Sequence, residues 1–154
     1  MNPNPQLYDF LAPYDEHIQK LVLDLRGFVV DWVPEANELI WDNYNAVAIA
    51  YSKSKQLKDA FCHLAVYVRH VNFGFNRGTE LTSTALQLDG SGKLIRHLTV
   101  KNLETFPKDE IASLVREAVQ IAEERNSALK GLNEAPQSIV MSVSKKKLRP
   151  KTRS

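Results

Sequence analysis

Glycines, amides and basic side chains are concentrated in one stretch of the chain, between residues 72 and 97. The members with binding potential are Asn72, Gly74, Gly92, Lys93, Arg96 and His97. Proteins bind carboxylates and phosphates with turn N–H groups, ammonium groups and guanidinium groups. The stretch therefore predicts a small-anion site, which Arg96 and His97 can share only if a bulge or a strand end intervenes. The alternative is a structural hairpin whose glycines serve only to turn the chain.

The same stretch lacks the patterns of a nucleotide-hydrolysing or hydrolase site. A phosphate loop needs a glycine five positions before its Gly-Lys pair and a hydroxyl after it, where this chain has Gln87 and Leu94. The G-x-S-x-G nucleophile elbow does not occur in the sequence. Cys62 and His63 are adjacent, so in a strand they point to opposite faces and do not form a catalytic pair. The sequence favours a non-enzymatic protein without catalytic residues.

The sequence can be searched for two kinds of metal site, a tetrahedral zinc site and a site for iron or divalent cations. No two histidines lie four residues apart and Cys62 is the single cysteine, which argues against a tetrahedral zinc site. Oxygen ligands that suit iron or divalent cations surround the first predicted helix. They are Asp9, Asp15, Glu16, Asp24 and Asp31. The alternative is the solvated polar face that an amphipathic helix ordinarily carries.

The net charge of +2 conceals an uneven distribution of basic residues. Residues 144–154 hold six basic side chains and no acidic ones, whereas residues 1–143 hold 14 basic and 18 acidic ones. Like charges at this density disfavour compact structure, so we expect a disordered tail that contacts nucleic acid weakly and without sequence preference. A solvated terminus that only aids solubility is the alternative.

The composition, with 154 residues, 44% hydrophobic and 25% charged, is typical of one globular domain with its own core. A single cysteine excludes a disulfide-stapled scaffold. The N-terminus lacks the pattern of a signal peptide, and no apolar stretch is long enough for a membrane span. We therefore expect a cytoplasmic protein that does not contact membranes.

The spacing of apolar residues changes along the chain from helical to strand-like and back to helical. It predicts helices over 6–11, 14–33 and 108–125, and strands over 46–51, 62–68, 71–75 and 95–100. Strands that follow one another without intervening helices argue against a parallel sheet. We expect an α+β fold in which two long amphipathic helices pack on one face of an antiparallel β-sheet.

This arrangement divides the chain into three parts. Residues 1–13 form an N-terminal arm with a short helical turn, and residues 14–125 form the α+β domain. Residues 126–154 form a C-terminal extension that ends in the basic tail. Within the extension, residues 137–143 form either an edge strand or a loosely docked segment.

Two motifs in the second half of that domain occur together and in order. They are VNFGFNRG at residues 71–78, followed by Glu80-Leu81, and LDGSGKLIRHL at residues 88–98. In these motifs the chain resembles the YdhG-like family of small bacterial domains. The resemblance covers residues 14–125 and implies a fold similar to frataxin, with helices on one side of an antiparallel sheet. Some relatives are described as intracellular iron chaperones, a role that would here involve Asp15, Glu16 and Asp24.

The residues and the resemblance lead to two expectations about function. The first is a non-enzymatic YdhG-like domain that binds a small anionic ligand or a protein partner through its glycine-rich turn and basic strand. The alternative is a frataxin-like chaperone that binds iron with the acids of its first helix.

Overall fold

The computed structural model describes residues 1–148, and every element below belongs to that part of the chain. The helices are α1 (Gln6–Leu11), α2 (Glu16–Trp32) and α3 (Lys108–Arg125). The strands are β1 (Asn37–Asp42), β2 (Val47–Ser52), β3 (Ala60–Val66), β4 (Val71–Phe75), β5 (Arg96–Val100) and β6 (Ser138–Val143). The three predicted helices are therefore confirmed to within two residues at each end. None of the helices in residues 1–148 is both long and apolar enough to span a bilayer.

The strands form one sheet in the order β5-β4-β3-β2-β1-β6. β1 to β5 pair antiparallel, whereas β6 pairs parallel with β1. The expected α+β class is confirmed, but the expectation of a wholly antiparallel sheet is wrong at this edge. β1 itself was not predicted, because it places the acidic residues Glu38 and Asp42 on the same face as Ile40, which packs in the core.

α2 and α3 cover one face of the sheet, and the core lies between them and the strands. Their inward residues are Ile18, Leu21, Val22, Leu25 and Val29 of α2 and Ile111, Leu114, Val115, Ala118 and Ala122 of α3. These side chains cluster with Val47, Ile49, Tyr51, Leu64, Val66, Phe73 and Phe75 of the sheet. Full burial of one large apolar side chain stabilises the fold by roughly 1.5–3 kcal/mol. The opposite face, which none of the described helices covers, carries the small residues Ala48, Ala50 and Ala65 along its centre.

A buried polar network fastens β6 to the rest of the sheet. The Glu38 carboxylate accepts hydrogen bonds from Arg26 Nε and from Tyr51 Oη, the latter at 2.8 Å. Burial, followed by the Glu38 carboxylate, raises the pKa of Tyr51 well above 10.0, so the phenol keeps the proton that it donates. Ser138 Oγ, at the start of β6, donates to Glu38 at 2.7 Å and accepts from Asn4 N at 2.9 Å. Residues 138–143 therefore form an edge strand instead of a loosely docked segment.

The basic tail that was expected to be disordered begins in contact with the connection between β1 and β2. Ser144 N donates to Asp42 O at 2.8 Å, and Leu148 N donates to Tyr44 O at 2.7 Å. Lys147 Nζ lies 3.2 Å from the buried Asp42 carboxylate. Residues 144–148 are thus held by hydrogen bonds and an ion pair, and the remainder of that tail, residues 149–154, lies outside the described residues.

Candidate functional site

Arg96 stabilises the glycine-rich turn with its own guanidinium group. Arg96 Nη1 donates to the carbonyl oxygens of Gly92 and Ile95, each at 2.7 Å. A Cβ at Gly78 would lie 2.6 Å from Arg96 Cβ, and Gly90 adopts a φ of +141° that L side chains rarely take. These glycines are therefore needed for the close approach of the turn to Arg96, as in the structural hairpin considered from the sequence.

The turn and the basic strand do not converge on one site. Lys93 lies in the exposed turn, where its carbonyl oxygen accepts from Thr79 Oγ1 at 2.9 Å. Arg96 pairs with Phe75, which packs in the core, so it points to the helix-covered face of the sheet. His97 points to the other face because β4 and β5 pair without a bulge. The Arg96 guanidinium is thus separated from His97 by the sheet and is engaged by the turn.

The open face of the sheet holds the other predicted ligand residues, Asn72, Gly74 and His97, together with His63. The His63 ring lies directly over Gly74, where a Cβ would be 2.2 Å from His63 Nε2. His63 Nδ1 is 2.9 Å from Asn76 Oδ1. Burial, and to a smaller extent His97, lowers the pKa of His63 from its ordinary value of 6.5. At neutral pH this imidazole is uncharged and packs on the backbone of β4, so it adds no charge that would attract an anion.

A cavity of about 260 Å³ opens at the end of the sheet where β3 begins and β4 ends. Three segments supply its walls: the 3-10 turn Leu57–Asp59 before β3, the corner after β4, and the last turn of α3. The lining residues are Lys58, Asp59, Ala60, Arg77, Ala122, Arg125 and Asn126. Arg77 belongs to the first of the two motifs, VNFGFNRG.

The cavity lining carries an excess of positive charge. Lys58, Arg77 and Arg125 oppose the single carboxylate of Asp59, which leaves a formal charge of +2. Within residues 1–148, neither Lys58 nor Arg125 forms an ion pair, and Arg77 pairs with Glu80, which lies outside the lining. The lining therefore attracts an anion of one or two charges.

Arg77 gives the most specific indication of a ligand. Its Nε is buried and has no hydrogen-bond acceptor within the described part of the chain. A buried donor without an acceptor costs roughly 1–3 kcal/mol. Asp59 does not fill that role, since its oxygens accept from Ser54 Oγ at 2.7 Å and Asn126 Nδ2 at 3.3 Å. The cavity that Arg77 lines is the place where an anion could lie beside this guanidinium.

A small apolar recess adjoins the charged cavity and shares Ala60, Arg77 and Ala122 with it. Phe61, Ala118 and Ile121 complete its lining, and its volume is about 10 Å³. A space of this size is at the lower limit for one water molecule. The charged cavity of about 260 Å³ is thus the space available to an anion, and its inner wall is apolar.

Comparison with protein-family models, curated proteins and solved structures finds no match for this chain. The YdhG-like resemblance accordingly remains an interpretation of the two motifs. The geometry of the cavity does not depend on it.

The carboxylates expected to bind iron are spread along the start of α2. Asp15 precedes the helix, Glu16 begins it, and Asp24 lies two turns further on, where Lys20 Nζ approaches it to 2.6 Å. Within residues 1–148, no three His, Cys, Asp or Glu side chains are grouped so that they could hold a metal ion. Asp15, Glu16 and Asp24 are not brought together into such a group, and iron binding by these acids stays a prediction from the resemblance.

The cavity residues Lys58, Arg77 and Arg125 were not among the predicted ligands. Arg77 had a visible signal, because it stands between the end of a predicted strand and Gly78 inside a motif. Lys58 and Arg125 had none, since they lie far from Arg77 in the sequence and meet it only through the sheet topology.

Proposed function

We propose that this protein binds a compact organic anion, a carboxylate or a monophosphate, in the cavity formed by Lys58, Arg77 and Arg125. The observation that carries the proposal is the buried Arg77 Nε, which has no acceptor among residues 1–148 and belongs to a lining with an excess of cations. The ligand class is the one expected from the sequence. Its position is different, because Arg96 is engaged by the carbonyl groups of its own turn.

The three cations contribute in different ways. The planar guanidinium of Arg77 offers paired N–H groups that match two oxygens of a carboxylate or phosphate. Lys58 and Arg125 are exposed, so water screens their charges and they mainly attract the anion to the mouth of the cavity. Most of the affinity is therefore expected from Arg77.

The wider proposal is that the chain is a non-enzymatic, cytoplasmic domain of the YdhG-like type. The two motifs in order support it, as do α2 and α3 on one face of the antiparallel strands β1 to β5. The buried Cys62 thiol is consistent with a reducing compartment. Iron binding is not proposed, because no specific observation favours it.

Isothermal titration calorimetry of the full chain with inorganic phosphate, acetate and propionate tests the anion site. Arg77→Gln is expected to weaken binding at least about tenfold, because a hydrogen bond to a charged group contributes roughly 1.5–3 kcal/mol. Arg125→Gln, at an exposed position, is expected to weaken it less without affecting folding. Lys93→Gln is the matched control, since it removes the same charge from the glycine-rich turn.

Two results would reject the proposal. One is the absence of binding heat for the wild-type chain with all three anions. The other is an equal loss of affinity in Lys93→Gln and Arg125→Gln, which would show that net charge and not the cavity attracts the anion. If circular dichroism shows that Arg77→Gln is unfolded, the anion affinities of Lys58→Gln and Arg125→Gln are compared with that of Lys93→Gln. Weaker binding in the two cavity variants then supports the proposal, and equal binding in all three rejects it.

A further inference from the structure

The topology brings four chain segments to the end of the sheet opposite the cavity. β1, β3, β5 and β6 end there, and β2 and β4 begin there. The segments are the connections between β1 and β2 and between β3 and β4, the residue after β5, and residues 144–148 after β6. We call seven of their aromatic and basic side chains the tail-side surface: Tyr44, Tyr67, Arg69, His70, Lys101, Lys145 and Lys146. Lys147 is left out because it pairs with Asp42.

Aromatic rings of the tail-side surface are open to solvent. Tyr67 is 36% exposed and Tyr44 is 46% exposed. Tyr67 stacks on His70, with ring centroids 5.1 Å apart and an interplanar angle of 26°. A cleft of about 520 Å³ lies beside this pair, and Arg69 and Leu148 are among its walls. A stacked aromatic pair at the edge of a cleft provides a platform for a further planar ring.

The tail-side surface is also positively charged. Arg69, Lys101, Lys145 and Lys146 are exposed, and none forms an ion pair within residues 1–148. Burial, and to a smaller extent the charges of Lys101 and His97, lowers the pKa of His70. The sequence continues after Leu148 with three more basic residues, Arg149, Lys151 and Arg153.

We propose that the tail-side surface binds single-stranded nucleic acid, with unpaired bases stacked on Tyr67 and Tyr44. The phosphates contact Arg69, Lys101, Lys145 and Lys146. Duplex DNA offers the same phosphates but no free base faces, and an acidic peptide offers charge without planar rings. Exposed tyrosines between unpaired cations therefore favour a single strand. This surface and the anion cavity lie at opposite ends of the sheet, so neither proposal depends on the other.

Fluorescence anisotropy of the full chain with a labelled oligo(dT) of about 20 nucleotides tests this surface at low and at physiological salt. Tyr67→Leu is expected to weaken binding roughly fivefold or more through the loss of base stacking. The double variant Lys145→Gln/Lys146→Gln is expected to reduce the slope of log Kd against log salt concentration by about 1 or more, through lost phosphate contacts. Tyr8→Leu, at the 51% exposed tyrosine of α1, and Lys55→Gln/Lys130→Gln, in the segments after β2 and after α3, are matched controls expected to bind normally.

Several outcomes would overturn the proposal. One such outcome is that Tyr67→Leu and Tyr44→Leu bind the oligonucleotide as the wild type does, while Lys145→Gln/Lys146→Gln binds it more weakly. In that case the bases do not stack on the tyrosines and the surface only attracts polyanions. Equal affinity for heparin or for a duplex of the same length leads to the same conclusion. No binding at low salt rejects the site altogether. Thermal melting of each variant identifies loss of folding, and Tyr44→Leu provides the stacking test if Tyr67→Leu does not fold.

Discussion

Arg26 Nε lies 2.8 Å from Glu38 Oε2, and these side chains are only 9% and 0% exposed. Arg26 also donates from Nη2 to Met1 O at 2.8 Å, while Tyr51 and Ser138 donate to the Glu38 carboxylate. The charges are therefore compensated by partners from α2, β2, β6 and the N-terminal arm. This relationship explains how an acidic residue occupies the inward face of β1, and it links the N-terminal arm to β6.

Removing one member of this pair should destabilise the protein strongly. Arg26→Met or Glu38→Leu alone is expected to lower the free energy of unfolding by about 3–5 kcal/mol, because the remaining charge stays buried without its partner. In the double variant, the decrease in the free energy of unfolding is expected to be clearly smaller than the sum of the decreases in the two single variants. Urea denaturation measures all three. The control is the exposed pair Lys20 and Asp24 on the same helix, where Lys20→Ala should cost less than about 1 kcal/mol. Additive losses at Arg26 and Glu38 would show that the two charges are not coupled.

The contact between His63 and Gly74 predicts a specific rescue. Gly74→Ala is expected to destabilise the fold by about 1–3 kcal/mol, because a Cβ there would lie 2.2 Å from His63 Nε2. In a His63→Ala background the same substitution should cost much less, since the ring is gone. Thermal or urea unfolding gives the double-mutant cycle. Gly27→Ala, with nothing within 4 Å of the added Cβ, should instead stabilise α2 by about 0.5–1 kcal/mol. A cost at Gly74 that is independent of His63 would contradict the proposed contact.

The lowered pKa of His63 predicts a pH dependence of stability. Between the lowered pKa of the folded protein and 6.5, the unfolded chain binds a proton that the folded protein does not. The contribution of His63 to stability is therefore complete above pH 6.5 and is lost as the pH falls below that value. Urea unfolding on both sides of pH 6.5 should give a smaller pH slope for His63→Gln than for the wild type. Identical slopes would show that the imidazole titrates equally in both states.

Glu80 is expected to compete with the proposed anion for Arg77. Its carboxylate pairs with Arg77 Nη2, so Glu80→Gln frees the guanidinium and should tighten anion binding roughly two- to fivefold, the range of a partly exposed ion pair. Calorimetry with inorganic phosphate measures the change. Glu104→Gln makes the same charge change in the segment after β5 and should leave the affinity unaltered. An equal gain in both variants would point to net charge, and no gain at Glu80 would mean that this pair does not oppose binding.

The helices and the central strands could be predicted because their signals are local. The periodic apolar residues of α2, such as Leu21, Leu25 and Val29, and the alternation in β3 and β4 each bury one face irrespective of the partner. β1 escaped prediction for the opposite reason, and residues 137–143 could be placed only as either an edge strand or a loosely docked segment. Glu38 is compatible with an inward strand position only because Arg26, Tyr51 and Ser138 reach it from distant segments.

The candidate site illustrates the same division. The residue types of the site could be recognised in the sequence, because a glycine-rich turn beside basic side chains indicates either anion binding or a tight hairpin. The alternation of residues in β5 also placed Arg96 and His97 on opposite faces of the sheet. Which of the two applied depended on where the Arg96 guanidinium finds its acceptors, and those are the carbonyls of Gly92 and Ile95. The meeting of Lys58, Arg77 and Arg125 was decided by tertiary structure alone. Strand order and the packing of α3 bring together residues that are far apart in sequence, and periodicity carries no information about such distances.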